Sequence, residues 1–101
     1  MIDKRIIEEL AIEELVDANT KHPPTFNSMH EAYAVIKEEV EEMQEDMKYI
    51  ESNLELLWRS VKADDDGTHS LMRMKKLAIT AVQEGIQVIA MCDKALRCTE
   101  K

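Results

Sequence analysis

The sequence predicts an all-α protein, a long antiparallel helical hairpin preceded by a shorter helix, and three observations lead there. Apolar residues recur at alternating four- and three-residue spacings over two long stretches, the repeat of packed helices. Only two glycines and two prolines occur among 101 residues, too few for the turns of a sheet. Pro23-Pro24 and Asp64-Asp65-Asp66-Gly67 then divide the chain into three segments.

The first helix is expected from about Asp3 to Ala18. Ile6, Ile7, Leu10, Ala11, Ile12, Leu15 and Val16 cover a broad arc of it, so more than one side should be buried, in part against another subunit. Proline cannot continue a helix and restricts the residue before it, which ends the segment. The second helix starts at Ser28, an N-cap whose capping box is completed by Glu31. Its expected seam is Met29, Tyr33, Ile36, Val40, Met43, Met47, Ile50, Leu54, Leu57 and Val61, with no break required at Ser52-Asn53. Residues 62–68 read as a polar turn, because the aspartates lack the alternating spacing of a calcium loop. The third helix should start near Thr68 or Ser70 and end near Arg97, with a seam of Leu71, Met74, Ala78, Ala81, Gly85, Val88, Cys92 and Ala95.

One domain spanning residues 1–101 is expected, too small to bury its apolar surface well alone, so partners are expected. With 13 basic and 21 acidic residues the net charge is -8, which argues against general binding to nucleic acid or an anionic membrane. Cys92 and Cys98 form no CxxC pair and face different ways on a helix, which fits a reducing cytoplasm. Neither a signal peptide nor a transmembrane run is seen.

Glu38-Glu39-Val40-Glu41-Glu42 is the densest chemistry in the chain. Carboxylates this close repel one another, and a hard divalent cation held by a few of them would relieve that repulsion. The run is therefore a solvated helix face or half of a metal site. Heptad phase points Glu38 and Glu41 away from the partner helix and sets Glu39, Glu42 and Asp46 along one flank of the seam. Glu84 and Gln87 hold the equivalent positions on the third helix. Folding the hairpin about the centre of its turn places Glu84 level with Met47 and Gln87 level with Gln44. Glu42 and Asp46 then lie within about half a turn and Glu39 about one turn further. Glu39, Glu42, Asp46, Glu84 and Gln87 form the expected cluster.

The stretch from His30 to Glu42, HEAYAVIKEEVEE, resembles the MazG-like all-α nucleoside triphosphate pyrophosphohydrolases, in particular short phage and prophage forms. Glu38-Glu39-x-x-Glu42 matches the Glu-Glu-x-x-Glu motif of that family, and Glu84-Gly85-Ile86-Gln87 stands where it has Glu-x-x-Asp. The likeness covers Phe26 to about Leu96. It implies Glu39, Glu42 and Glu84 as ligands of magnesium, with manganese a substitute. Gln87 departs from the family aspartate, offering an amide oxygen without charge. The stretch between Glu42 and Glu84 is also longer than the family's usual spacing, which implies longer helices. The resemblance further implies a helical bundle completed as a homodimer or homotetramer. The implied reaction is hydrolysis of a nucleoside or deoxynucleoside triphosphate to the monophosphate and pyrophosphate. Glu38 or Asp46 would position the attacking water.

Arg73, Lys75 and Lys76 are candidates for phosphate contact or plain surface charge, and Asn53 for sugar or base contact or a helix-surface role. His30 reads as a first-turn surface or capping residue before it reads as a ligand. Trp58 and Tyr33 read as core or subunit-contact residues before they read as base-stacking ones. Two rival functions remain: a helical binding or regulatory protein that kept this fold without turnover, and a coiled-coil adaptor with no metal site.

Overall fold

The computed structural model describes residues 1–98 and contains three helices: α1 (Lys4–Lys21), α2 (Met29–Lys62) and α3 (Thr68–Cys98). Among the described residues there is no strand, and no helix is long and apolar enough to cross a membrane.

Each helix end has a local cause. Asp3 caps α1 by accepting the Arg5 N–H at 2.9 Å. The helix runs to Lys21, one turn beyond the expected end, because Pro23 forces only its immediate neighbour into an extended conformation: His22 has φ -134° and ψ 161°. Ser28 caps α2, its hydroxyl accepting the Glu31 N–H at 3.2 Å. Glu31 does not reach back to the Ser28 backbone; its Oε2 accepts from the Asn27 side chain at 3.0 Å instead. No kink interrupts α2 at Ser52-Asn53, whose side chains donate to the Lys48 and Tyr49 carbonyls one turn back.

The 63–67 turn is a Schellman closure. Asp65 N–H donates to Ser60 O at 2.8 Å and Asp64 N–H to Val61 O at 3.3 Å, while Asp64 sits in the left-handed region at φ 55°. Asp66 then accepts from the Thr68 hydroxyl and N–H to open α3, bonds that hold its carboxyl below the ordinary aspartate value. Gly67 lies under Leu57, whose Cδ1 occupies the place a Cβ would take.

α2 runs back along the whole of α3, with Phe26 beside Cys98 at one end and Leu57 beside Gly67 at the other. α1 packs on the C-terminal half of α3, where Ala11 and Leu15 meet Ala90, Ile86, Ile89 and Met91. A second small core joins Phe26, Ala32 and Ala95 with Val35 and Ile36. The molecule is elongated, 60 × 28 × 21 Å.

Burial displaces half of the expected α2 seam and keeps most of the α3 seam. On α2 the covered positions are Ala32, Val35, Ile36, Glu39, Val40, Met43, Asp46, Ile50, Asn53, Leu57 and Ser60. On α3 they include Ser70, Met74, Leu77, Ala81, Glu84, Gly85, Val88, Met91, Cys92, Ala95 and Cys98. Ile36, Val40, Met43, Ile50, Leu57, Met74, Ala81, Gly85, Val88, Cys92 and Ala95 keep their expected places. Tyr33, Met47, Leu54, Val61 and Leu71 are instead exposed, Leu54 by 54%. The physical reason is a polar line inside the hairpin: Glu39, Asp46, Asn53 and Ser60 recur every seven residues and face α3, turning the apolar alternatives outward.

An aspartate in left-handed backbone costs roughly 1 kcal/mol that glycine avoids. Asp64→Gly should therefore leave stability unchanged or raise it by up to about 1 kcal/mol, whereas Asp64→Val should lower it by more than that. Urea unfolding followed by circular dichroism measures both.

Candidate functional site

Three helices each contribute an i,i+3 pair of polar side chains to one region. α2 brings Glu39 and Glu42, α3 brings Glu84 and Gln87, and α1 brings Glu14 and Asp17. A cleft of about 530 Å³ is lined by Glu13, Glu14, Asp17, Glu42, Gln83, Glu84 and Gln87, with Leu10, Thr80 and Ile86 supplying the rest of the wall. An adjoining cavity of about 350 Å³ shares Glu14 and Gln87 with it and adds Glu39, Phe26, Val35, Met91 and Lys94.

The acids expected to cluster do so, in two linked groups. With its amide nitrogen turned toward α2, Gln87 donates to Glu39 Oε2 at 2.8 Å and to Oε1 at 3.1 Å. Gln87 thus reaches Glu39, about one turn beyond the level expected for it, since long side chains bridge a turn that backbone levels alone separate. The Asp46 carboxyl lies beside that of Glu84 and favours its protonated form. Glu84 Oε2 and Asp46 Oδ2 are closed off from solvent and have no hydrogen-bond partner.

This setting raises the proton affinity of the acids. Glu84 is pushed up to about 7 from the ordinary 4.5, first by burial, then by the bond to Asp46, then by the charges of Asp46, Glu42 and Glu39. Glu39 is raised in the same direction, chiefly by burial and then by Glu42, Glu38 and Glu14. Glu14 is thus coupled to the α2 acids across the cleft.

Buried carboxylate oxygens without donors, crowded by like charge, are what a hard divalent cation satisfies, so the chemistry fits. Among the described residues, however, no three acid, histidine or cysteine side chains already converge on one metal position. The Gln87 amide occupies the Glu39 oxygens instead, and a cation would have to displace it.

The remaining sequence candidates lie elsewhere. Glu38 is exposed and lines neither cavity, though its charge acts on Glu39. Arg73 and Lys76 are exposed and line neither cavity. Asn53 is buried in the α2–α3 seam, its Nδ2 donating to Tyr49 O at 2.8 Å and its Oδ1 without a partner. Sequence reasoning missed Glu13, Glu14 and Asp17 on α1, although Glu14 and Asp17 repeat the spacing of Glu39 and Glu42. It also missed Lys94, for which no periodic signal exists. No protein family, curated protein or solved structure matches the chain.

The sign of the pH effect follows from Glu84. Its folded form holds a proton that the unfolded chain releases above about 4.5, so this group's contribution is present at lower pH and lost as pH rises toward 7. The melting temperature should fall from pH 5 to pH 8 in buffer free of divalent ions. Glu84→Gln, a permanent mimic of the neutral acid, should flatten that slope and melt higher than the wild type at pH 8. Thermal melts of both proteins across the range check it.

Proposed function

We propose that this chain is a divalent-metal-dependent nucleoside triphosphate pyrophosphohydrolase of the MazG-like kind, acting as a homodimer or homotetramer. The observation that carries the reading is the placement of Glu39, Asp46 and Glu84 in the seam between two long helices. Packing alone favours apolar residues at those positions, and carboxylates held there against their own repulsion mark a functional site.

Glu39, Glu42 and Glu84 would hold magnesium, or manganese in its place, with Gln87 adding its carbonyl oxygen once the amide turns over. Bound there, the ion supplies neutralisation of phosphate charge and a more acidic water. Asp46 or Glu38 would position the water; Asp46 lies beside Glu84 in the seam, whereas Glu38 is exposed. Water adds between the α- and β-phosphates, and the monophosphate and pyrophosphate leave. The exposed line of Tyr33, Met47, Leu54, Val61 and Leu71, flanked by Trp58, supports the oligomer. A single chain leaves that line open to water, and a second copy would cover it.

One observation favours a second reading. Gln87 satisfies both oxygens of Glu39 without any cation, as a binding or regulatory protein that lost turnover would do.

Pyrophosphate release from a panel of ribo- and deoxynucleoside triphosphates decides between them. Metal-dependent release is expected, reduced about 100-fold or more in Glu39→Gln; absence of release with every nucleotide from folded protein selects the second reading. Gln87→Asp should lower the melting temperature without metal, by setting a carboxylate against Glu39, and should enlarge the stabilisation that magnesium provides. Leu54→Lys should shift the assembly toward monomer in sedimentation equilibrium while leaving helicity intact.

A further inference from the structure

Lys94 is 5% exposed, yet among the described residues its ammonium forms no ion pair. Its one recorded partner is the ring of Phe26, 4.6 Å from Nζ. Phe26 is itself fixed: it is 8% exposed, and its N–H donates to Cys98 Sγ at 3.3 Å. A buried charge is costly without a counter-charge, and an aromatic face offsets only part of that cost. Lys94 lines the cavity that also holds Glu39 and Gln87. Along α3 it lies seven residues beyond Gln87, two helical turns or about 10 Å, on the same side of the helix. Among the described residues it is the only lysine or arginine lining either cavity beside the acids.

We propose that Lys94 is the phosphate-binding residue of this site, its ammonium taking a non-bridging oxygen of a polyphosphate whose other end would meet a cation held by Glu39, Glu42 and Glu84. Arg73 and Lys76, the cations expected from sequence, stay on the surface away from both cavities. The proposal rests on the reading of the acidic cluster as a metal seat for a nucleoside triphosphate. An anion enters an acidic site on a chain of net charge -8 only where a metal or a cation receives it, and Lys94 supplies the second receptor. The bland alternative is a lysine whose stem fills the core between Phe26 and Met91 while its tip reaches the cavity for solvation.

The test separates these, using inorganic triphosphate with magnesium as the probe and calorimetry as the readout. Lys94→Met keeps the length and apolar stem without the charge, and Lys94→Gln serves where the Met variant does not fold. Either should weaken triphosphate about tenfold or more, the contribution of a charge-assisted hydrogen bond. The magnesium-induced thermal shift should remain, and Lys94→Arg should stay near wild type. Glu39→Gln should lose the magnesium shift itself. Unchanged triphosphate affinity in folded Lys94→Met or Lys94→Gln overturns the role given to Lys94 and leaves the metal seat standing. Absence of any magnesium shift in the wild type removes the metal seat, and the proposal with it.

Discussion

The structure turns on a conflict at the α2–α3 seam. Two helices of this length hold together by burying a continuous line of side chains, and every second position of the line on α2 is polar: Glu39, Asp46, Asn53 and Ser60. The other line, Ile36, Met43, Ile50 and Leu57 against Met74, Ala81, Val88 and Ala95, carries the apolar contact. Small side chains on α3 ease the approach; at Gly85 a Cβ would stand 3.5 Å from Met43 Cε. The crowding is eased at Glu39 by the Gln87 amide and at Glu84 by a proton affinity raised by burial and by Asp46. Remove either device and like charges face each other across a partly dry interface.

α1 belongs to the same balance. It touches α3 through a narrow contact centred on Ala11 and Leu15, and Ile6, Leu10, Ile12 and Val16 remain exposed. What it adds to the site is charge: Glu14 and Asp17 close the third wall of a cleft already rich in carboxylates. Such a helix gains little from its own packing and loses from repulsion at the cleft. A bound cation would change the sign of that second term, which makes α1 the element whose docking depends most on what the cleft holds.

Much of the helical framework was legible in the sequence because its signals are local. Ser28 with Glu31, the prolines after His22 and the aspartate turn each act through a neighbour one to five residues away. The seam was half legible. Counting apolar residues selects Tyr33, Met47 and Leu54 over Ala32, Asp46 and Asn53, and the fold makes the opposite choice. Heptad phase still set Glu39, Asp46 and Glu84 beside one another, since a shift of one position moves both helices alike. Lys94 was illegible for a different reason. Its environment is made by the 22–28 crossing, which lays Phe26 over α3, and nothing along α3 announces that contact.

Gln87 is where folding and chemistry meet. An aspartate there would face Glu39 with like charge at hydrogen-bonding distance, a cost that burial raises rather than screens. The glutamine turns the same distance into two donated contacts, so the hairpin closes without a cation. Turned over, the amide would offer oxygen to a metal and free both oxygens of Glu39 for the same ion. A glutamine here therefore brings less charge than an aspartate would and lowers the repulsion that closing the hairpin must overcome.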